Sequence, residues 1–70
     1  MTVEDLEKRV KKLSMRSTDA KMNLHDLAEE LPTDWQKIPE VAAATYEVFK
    51  ELTEARKELK AAKKAAEESV

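Results

Sequence analysis

The small and apolar residues of the first half stand at Val3, Leu6, Val10, Leu13, Ser17, Ala20, Leu24, Leu27 and Leu31, a 3,4 spacing without a slip. That spacing places all nine on one stripe of an α-helix. The second half repeats it at Ile38, Val41, Thr45, Val48, Leu52, Ala55, Leu59, Ala62 and Ala66. Between the two runs, Pro32 ends the first helix, because the residue before a proline is driven out of helical backbone. Folded back at Pro32, Leu31 meets Ile38, Leu27 meets Val41, and the register continues to Val3 with Ala66. Large residues then face small ones at Leu13–Ala55, Leu6–Ala62 and Leu52–Ser17, which suits close packing. The sequence predicts an all-α fold, one antiparallel two-helix hairpin, with helix 1 over about 3–31, a turn over 32–37 and helix 2 over about 38–66.

Local signals refine the ends. Thr2 with Asp5 resembles a capping box, and Thr33 with Gln36 has the full capping-box spacing, which predicts a helical turn from Asp34. Pro39 lacks a backbone donor and disfavours helix at Ile38, so regular helix is expected from about Pro39. Pairs four residues apart (Glu4–Lys8, Asp5–Arg9, Glu7–Lys11) are expected to line the outer face of helix 1. The weakly anchored stretch after Ala61 predicts fraying from about Lys64.

Composition narrows the function. Charged residues make up 40% of the chain and glycine is absent, the signature of long helices. Cysteine is also absent, which excludes disulfides, thiolate metal sites and cysteine catalysis. No run approaches membrane-spanning length and no signal peptide is visible, so a soluble cytoplasmic protein is expected, with no membrane association. A net charge of −2 argues against a dedicated nucleic-acid binder. No nucleophile–base pairing accompanies the single histidine, so the chain does not read as an enzyme.

A hairpin of two helices is a poor fold alone, because one seam of contacts does not offset the entropy of ordering some 60 residues, roughly 1.5 kcal/mol each. Helix 2 offers a remedy. Trp35, Ala42, Tyr46 and Phe49 fall on one flank beside its stripe, whereas helix 1 has Arg9, Arg16, Lys21 and Asn23 on its flanks. Two hairpins packed through the wide face of helix 2 would form an antiparallel four-helix bundle, a homodimer. The competing arrangement folds these aromatics over their own hairpin. Trp35 itself reads first as a structural anchor at the turn and second as a partner hot spot.

The stretch from Lys21 to Trp35, Lys-Met-Asn-Leu-His-Asp-Leu-Ala-Glu-Glu-Leu-Pro-Thr-Asp-Trp, and a second stretch from Glu40 to Glu47 carry a resemblance. They resemble the Rop-like small helical proteins encoded in bacterial nitrogen-fixation gene clusters, over about residues 12–59. Pro39 departs from the pattern. The resemblance implies a hairpin that dimerises, a Rop-like four-helix bundle, and an accessory role in nitrogen fixation. It supplies no reaction.

His25 lies about 130° from the centre of the buried stripe, with Glu29 one turn on and Asp26 adjacent. The plain reading is a solvated imidazole among surface acids. The sharper one is a divalent transition-metal site formed by His25, Glu29 and Asp26, completed by water or another chain. Met15 and Met22, seven apart and opposite the stripe, make with His25, Asp26 and Glu29 a candidate docking patch, since methionine adapts to varied partners. Charge is also segregated. Residues 17–52, the turn end, hold three basic against eight acidic residues, and the open end holds ten against seven. The leading expectation is an adaptor that meets a nitrogen-fixation protein through its acidic turn end. The alternatives are metal binding at His25, and RNA binding through Lys8, Arg9, Lys11, Lys12, Lys57, Lys60, Lys63 and Lys64. The basic end is diluted by acids and lacks aromatics for base stacking.

Overall fold

The computed structural model describes residues 2–68 and is a two-helix hairpin with no strand among them. Helix α1 spans Val3–Glu30 and helix α2 spans Ile38–Glu68, joined by a short 3₁₀ turn at Trp35–Lys37. The helices lie side by side in a rod whose Cα extents are 57 × 15 × 15 Å.

Helix α1 starts on the capping box that Thr2 and Asp5 imply. The Asp5 amide donates to Thr2 Oγ1 at 3.2 Å and the Thr2 amide donates to Asp5 Oδ2 at 3.3 Å. Two of the orphan donors at a helix start are thereby satisfied. At the other end Leu31 is extended (φ −55°, ψ 141°), the backbone that a following proline imposes. The Leu31–Pro32 peptide is cis. Three overlapping turns then reverse the chain, with Thr33, Trp35 and Lys37 amides donating to the Glu30, Pro32 and Asp34 carbonyls at 2.9, 3.3 and 2.9 Å.

The second capping box does not form. Asp34, not Thr33, is the residue before the 3₁₀ turn, and it sits in left-handed backbone (φ 57°, ψ 28°) with no side-chain cap. A left-handed residue turns the chain where an extended Thr33 cap would have carried it straight on. Asp tolerates that region better than most residues, and this chain has no glycine to take the position. Helix α2 begins at Ile38, one residue before Pro39, which occupies the first turn where no intrahelical donor is required. It runs on to Glu68.

The seam follows the 3,4 stripes. Leu6, Leu13, Ser17 and Leu27 of α1 and Leu52 and Ala55 of α2 are buried, and Val3, Val10, Ala20, Leu24, Val41, Thr45, Val48, Leu59 and Ala62 are half-buried. The tightest point is Leu13 with Leu52 and Ala55, flanked by Val10 and Val48. Among the described residues Ser17 is the one buried polar residue, and its hydroxyl donates to the Ser14 carbonyl at 2.7 Å. That bond within its own helix lets a small polar side chain face Leu52 without an unmet donor. Across the seam Thr45 Oγ1 lies 3.5 Å from the Ala20 carbonyl oxygen and Lys63 Nζ lies 3.6 Å from Glu7 Oε1. Both contacts fit the antiparallel register.

Three stripe positions are not covered: Leu31, Ile38 and Ala66 are exposed. They close the two ends of the seam, where no third element packs. The expected ion pairs along α1 are also absent from the described residues. Asp5 is engaged in the capping box and Glu7 reaches across to Lys63, so their carboxylates face other partners. Exposed pairs such as Glu4–Lys8 return too little to hold two long side chains together.

Ala55 is 1% exposed opposite Leu13, so the seam there has no room for a larger side chain. Ala55→Leu is expected to destabilise the protein by about 1–3 kcal/mol through overpacking. The same enlargement at exposed Ala43 should leave stability nearly unchanged. Chemical denaturation followed by circular dichroism compares the two.

Candidate functional site

Candidate functional groups lie on two surfaces of the rod. The first is the flank of α2. Tyr46 is 66% exposed, Trp35 59% and Phe49 39%, and Ala42 between them is exposed. None of the aromatics folds back over its own hairpin. Trp35 contributes its amide to the turn, but its exposed side chain does not pack there as the structural anchor expected of it. A shallow groove of about 430 Å³ runs along this flank, lined by Tyr46, Phe49, Lys50 and Thr53 among others. The helical repeat places Ala42 and Phe49 at one angle, seven residues apart, and Tyr46 about 50° farther round, while Trp35 stands in the 3₁₀ turn just before the helix. The row is an exposed apolar strip beside the seam.

The second surface is the outer face of α1. Met15 and Met22 are 64% and 59% exposed, two helical turns apart. Glu29 continues their line, and His25 and Asp26 flank it. His25 Nε2 lies 3.6 Å from Glu29 Oε1, and His25 Nδ1 lies 3.8 Å from Asp26 Oδ1. One donor atom from each of the three residues falls within 4.8 Å of the others. All three side chains are about two-thirds exposed. The geometry brings together His25, Asp26 and Glu29, the residues expected to hold a metal, and leaves Met15 and Met22 along the same helix face. It does not join either to the α2 aromatics in one pocket.

At the open end the basic residues are exposed, and Lys63 is engaged by Glu7. The aromatics all lie in the turn half of the rod, so none stands among those lysines to stack a base. At the turn, Lys37 Nζ is 3.8 Å from Asp34 Oδ2, the same Asp34 whose left-handed backbone sequence reasoning missed. The signal was present, since Asp34 is the best candidate for left-handed backbone between the helices of a glycine-free chain. No described helix is long and apolar enough to cross a membrane.

A family model described as Rop-like matches residues 1–64. A UPF0437 protein of Azorhizobium caulinodans is 60% identical over 58 residues, 83% of this chain and 84% of that protein. A UPF0437 protein of Nostoc is 46% identical over 59 residues, covering 84% and 83%. A third, from Frankia alni, is named for its place in the nifX–nifW intergenic region; it is 41% identical over 46 residues, 66% of this chain and 56% of that protein. No solved structure matches the chain significantly.

Because Met22, His25 and Glu29 lie outside the seam, replacing all three by Ala is expected to change stability by no more than about 1 kcal/mol. A thermal melt of the triple variant against wild type checks this. A larger loss would mean that the outer face contributes to the fold.

Proposed function

The chain belongs to the Rop-like family, and on that premise we propose that it is a dimeric, non-enzymatic adaptor of nitrogen fixation that works through protein–protein contacts. The observation that carries the reading is the exposed apolar strip on α2. A compact monomer of 8.0 kDa exposes roughly 4,500 Å². This hairpin exposes 5693 Å². The excess exceeds the ~800 Å² per partner of a standard protein interface. A second copy packed on Trp35, Ala42, Tyr46 and Phe49 removes the excess and supplies the core that one seam lacks.

Charge favours turns at opposite ends, an arrangement in which each aromatic row lies along the open half of its partner and not on the partner's own row. With the two turns at opposite ends, the acidic half of each hairpin lies along the basic half of the other. With the turns together, like halves face each other along a 57 Å rod. Opposed potentials fix such a register even where individual surface pairs are weak.

The nitrogen-fixation role is supported by the Frankia alni relative, whose name places it between nifX and nifW. The adaptor reading is supported by the outer face of α1. In a dimer built on the α2 flank, Met15 and Met22 remain outside, two adaptable apolar side chains beside an acidic rod end. With a single histidine and no cysteine, the chain has little with which to assemble a catalytic site. A cytoplasmic location fits the absence of a long apolar helix among the described residues.

Analytical ultracentrifugation of the wild-type protein is expected to give a dimer at micromolar concentration. Phe49→Glu puts a charge into the apolar strip and should weaken association by about 2 kcal/mol or more, with loss of helicity at low concentration. A stable, fully helical wild-type monomer would overturn the dimer. Using the wild-type chain and a Met15→Ser/Met22→Ser variant as baits in a nitrogen-fixing culture tests the adaptor. The expected result is a nitrogen-fixation protein retained by the first and lost by the second.

A further inference from the structure

We propose that the outer face of α1 from Met15 to Glu30 is a docking site for a basic amphipathic helix of a partner protein. The inference rests on the adaptor reading and names the chemistry of the partner. Met15 and Met22 are 64% and 59% exposed. They stand on one line of the helix, seven residues and about 10.5 Å apart along its axis. A helix laid along α1 presents its own apolar residues at that same interval, so two anchors on each side meet in register. Methionine suits such a contact, because its unbranched side chain adapts to the shape it meets.

Charge dictates what else the partner carries. Asp26 and Glu29 lie about 30° to either side of the methionine line, Asp19 about 50° from it and Glu30 about 70°. All four are exposed. From Ser14 to Glu30 the only arginine and lysine are Arg16 and Lys21, each about 110° from the line and on opposite sides of it. Among the described residues, no lysine or arginine pairs with any of the four acids. Two apolar anchors thus stand in a field of four carboxylates without a compensating cation. That field attracts lysine and arginine, and it repels nucleic-acid phosphates and anionic lipid.

The chain also marks the ends of the site. Toward the open end the same line passes Lys11, Lys8 and Glu4, so ground of one sign begins at Met15. At the turn, α1 stops at Glu30. The span between them is about 22 Å, or roughly four turns of helix. A second copy does not supply the occupant, because its basic end is interleaved with Glu4, Glu7, Glu54 and Glu58.

The test uses the full chain and a synthetic helix of about four turns, built from lysine, leucine and alanine with the leucines on one face. Binding is followed by fluorescence anisotropy and by the amide resonances of the protein. The expected result is saturable binding tighter than about 100 μM that weakens as salt rises, with the largest shifts within residues 15–30. Met15→Ser/Met22→Ser should weaken it about tenfold or more, and Asp19→Asn/Glu30→Gln about threefold with a flatter salt dependence. Glu47→Gln/Glu51→Gln removes two exposed acids from α2 and should leave binding unchanged. A peptide with glutamate in place of lysine, or with its leucines scattered round the helix, should not bind. No saturable binding, shifts centred on Tyr46 and Phe49, or an equal loss in the α2 variant would each overturn the site. If the peptide fails while the wild-type bait still retains a nitrogen-fixation protein, the partner chemistry is wrong and the adaptor reading stands. Peptide binding with no such protein retained supports the site and counts against the adaptor.

Discussion

The structure depends on one line of contact, the meeting of Leu13 with Leu52 and Ala55 in the middle of the hairpin. Two helices have a single interface, so every apolar group not on that line is left in water. Ala55 allows the backbones to approach, and Ser17 extends the close approach by bonding within its own helix. Farther out the stripe continues with half-buried residues and ends in the exposed Leu31, Ile38 and Ala66. Burial declines from the middle of the rod toward both ends because each layer is covered only by the layers beside it. The length of the helices compensates for the thinness of the core.

That thinness explains how the rest of the surface is arranged. A three-layered domain would hide Trp35, Tyr46 and Phe49 against a further element. This hairpin has none, and its aromatics are displayed along α2. The turn sharpens the arrangement. Extended Leu31 and left-handed Asp34 bring the chain round within seven residues, so no long loop is left to lie over the aromatics. The sequence departs from simple helix-and-turn rules at Asp34, and it does so at the base of the exposed face.

The helices were legible because their signal is periodic. Nine positions on each side of Pro32 repeat the same message, and no local preference can override all of them. The Thr33–Gln36 motif had no such support: it is one local hydrogen-bonding option, and the chain satisfied the turn through Asp34 and three backbone bonds instead. The ion pairs expected along α1 failed for a related reason. Spacing shows which charges share a helix face, but not that Lys63 of the other helix stands nearer to Glu7. For His25, Asp26 and Glu29 spacing was enough to show that the side chains come together, because all three lie within two turns of one helix. For the α2 flank, the sequence shows an excess apolar row, and the structure leaves that row exposed.

The two surfaces do not compete for the same space. In each helix the seam faces the other helix, and the α2 flank faces to one side of the hairpin. The line through Met15, Met22 and Glu29 points directly away from the seam. Covering the flank with another hairpin therefore leaves that line open to solvent. A dimer with its turns at opposite ends would carry two such lines, one toward each end of the bundle. A partner meeting both would gain avidity from two individually weak contacts, provided its own sites matched their separation. In the proposed dimer the poor core of a single hairpin and the spare residues on its surface would be parts of one arrangement: the α2 flank would hold the copies together, and the outer faces of α1 would remain available for recognition.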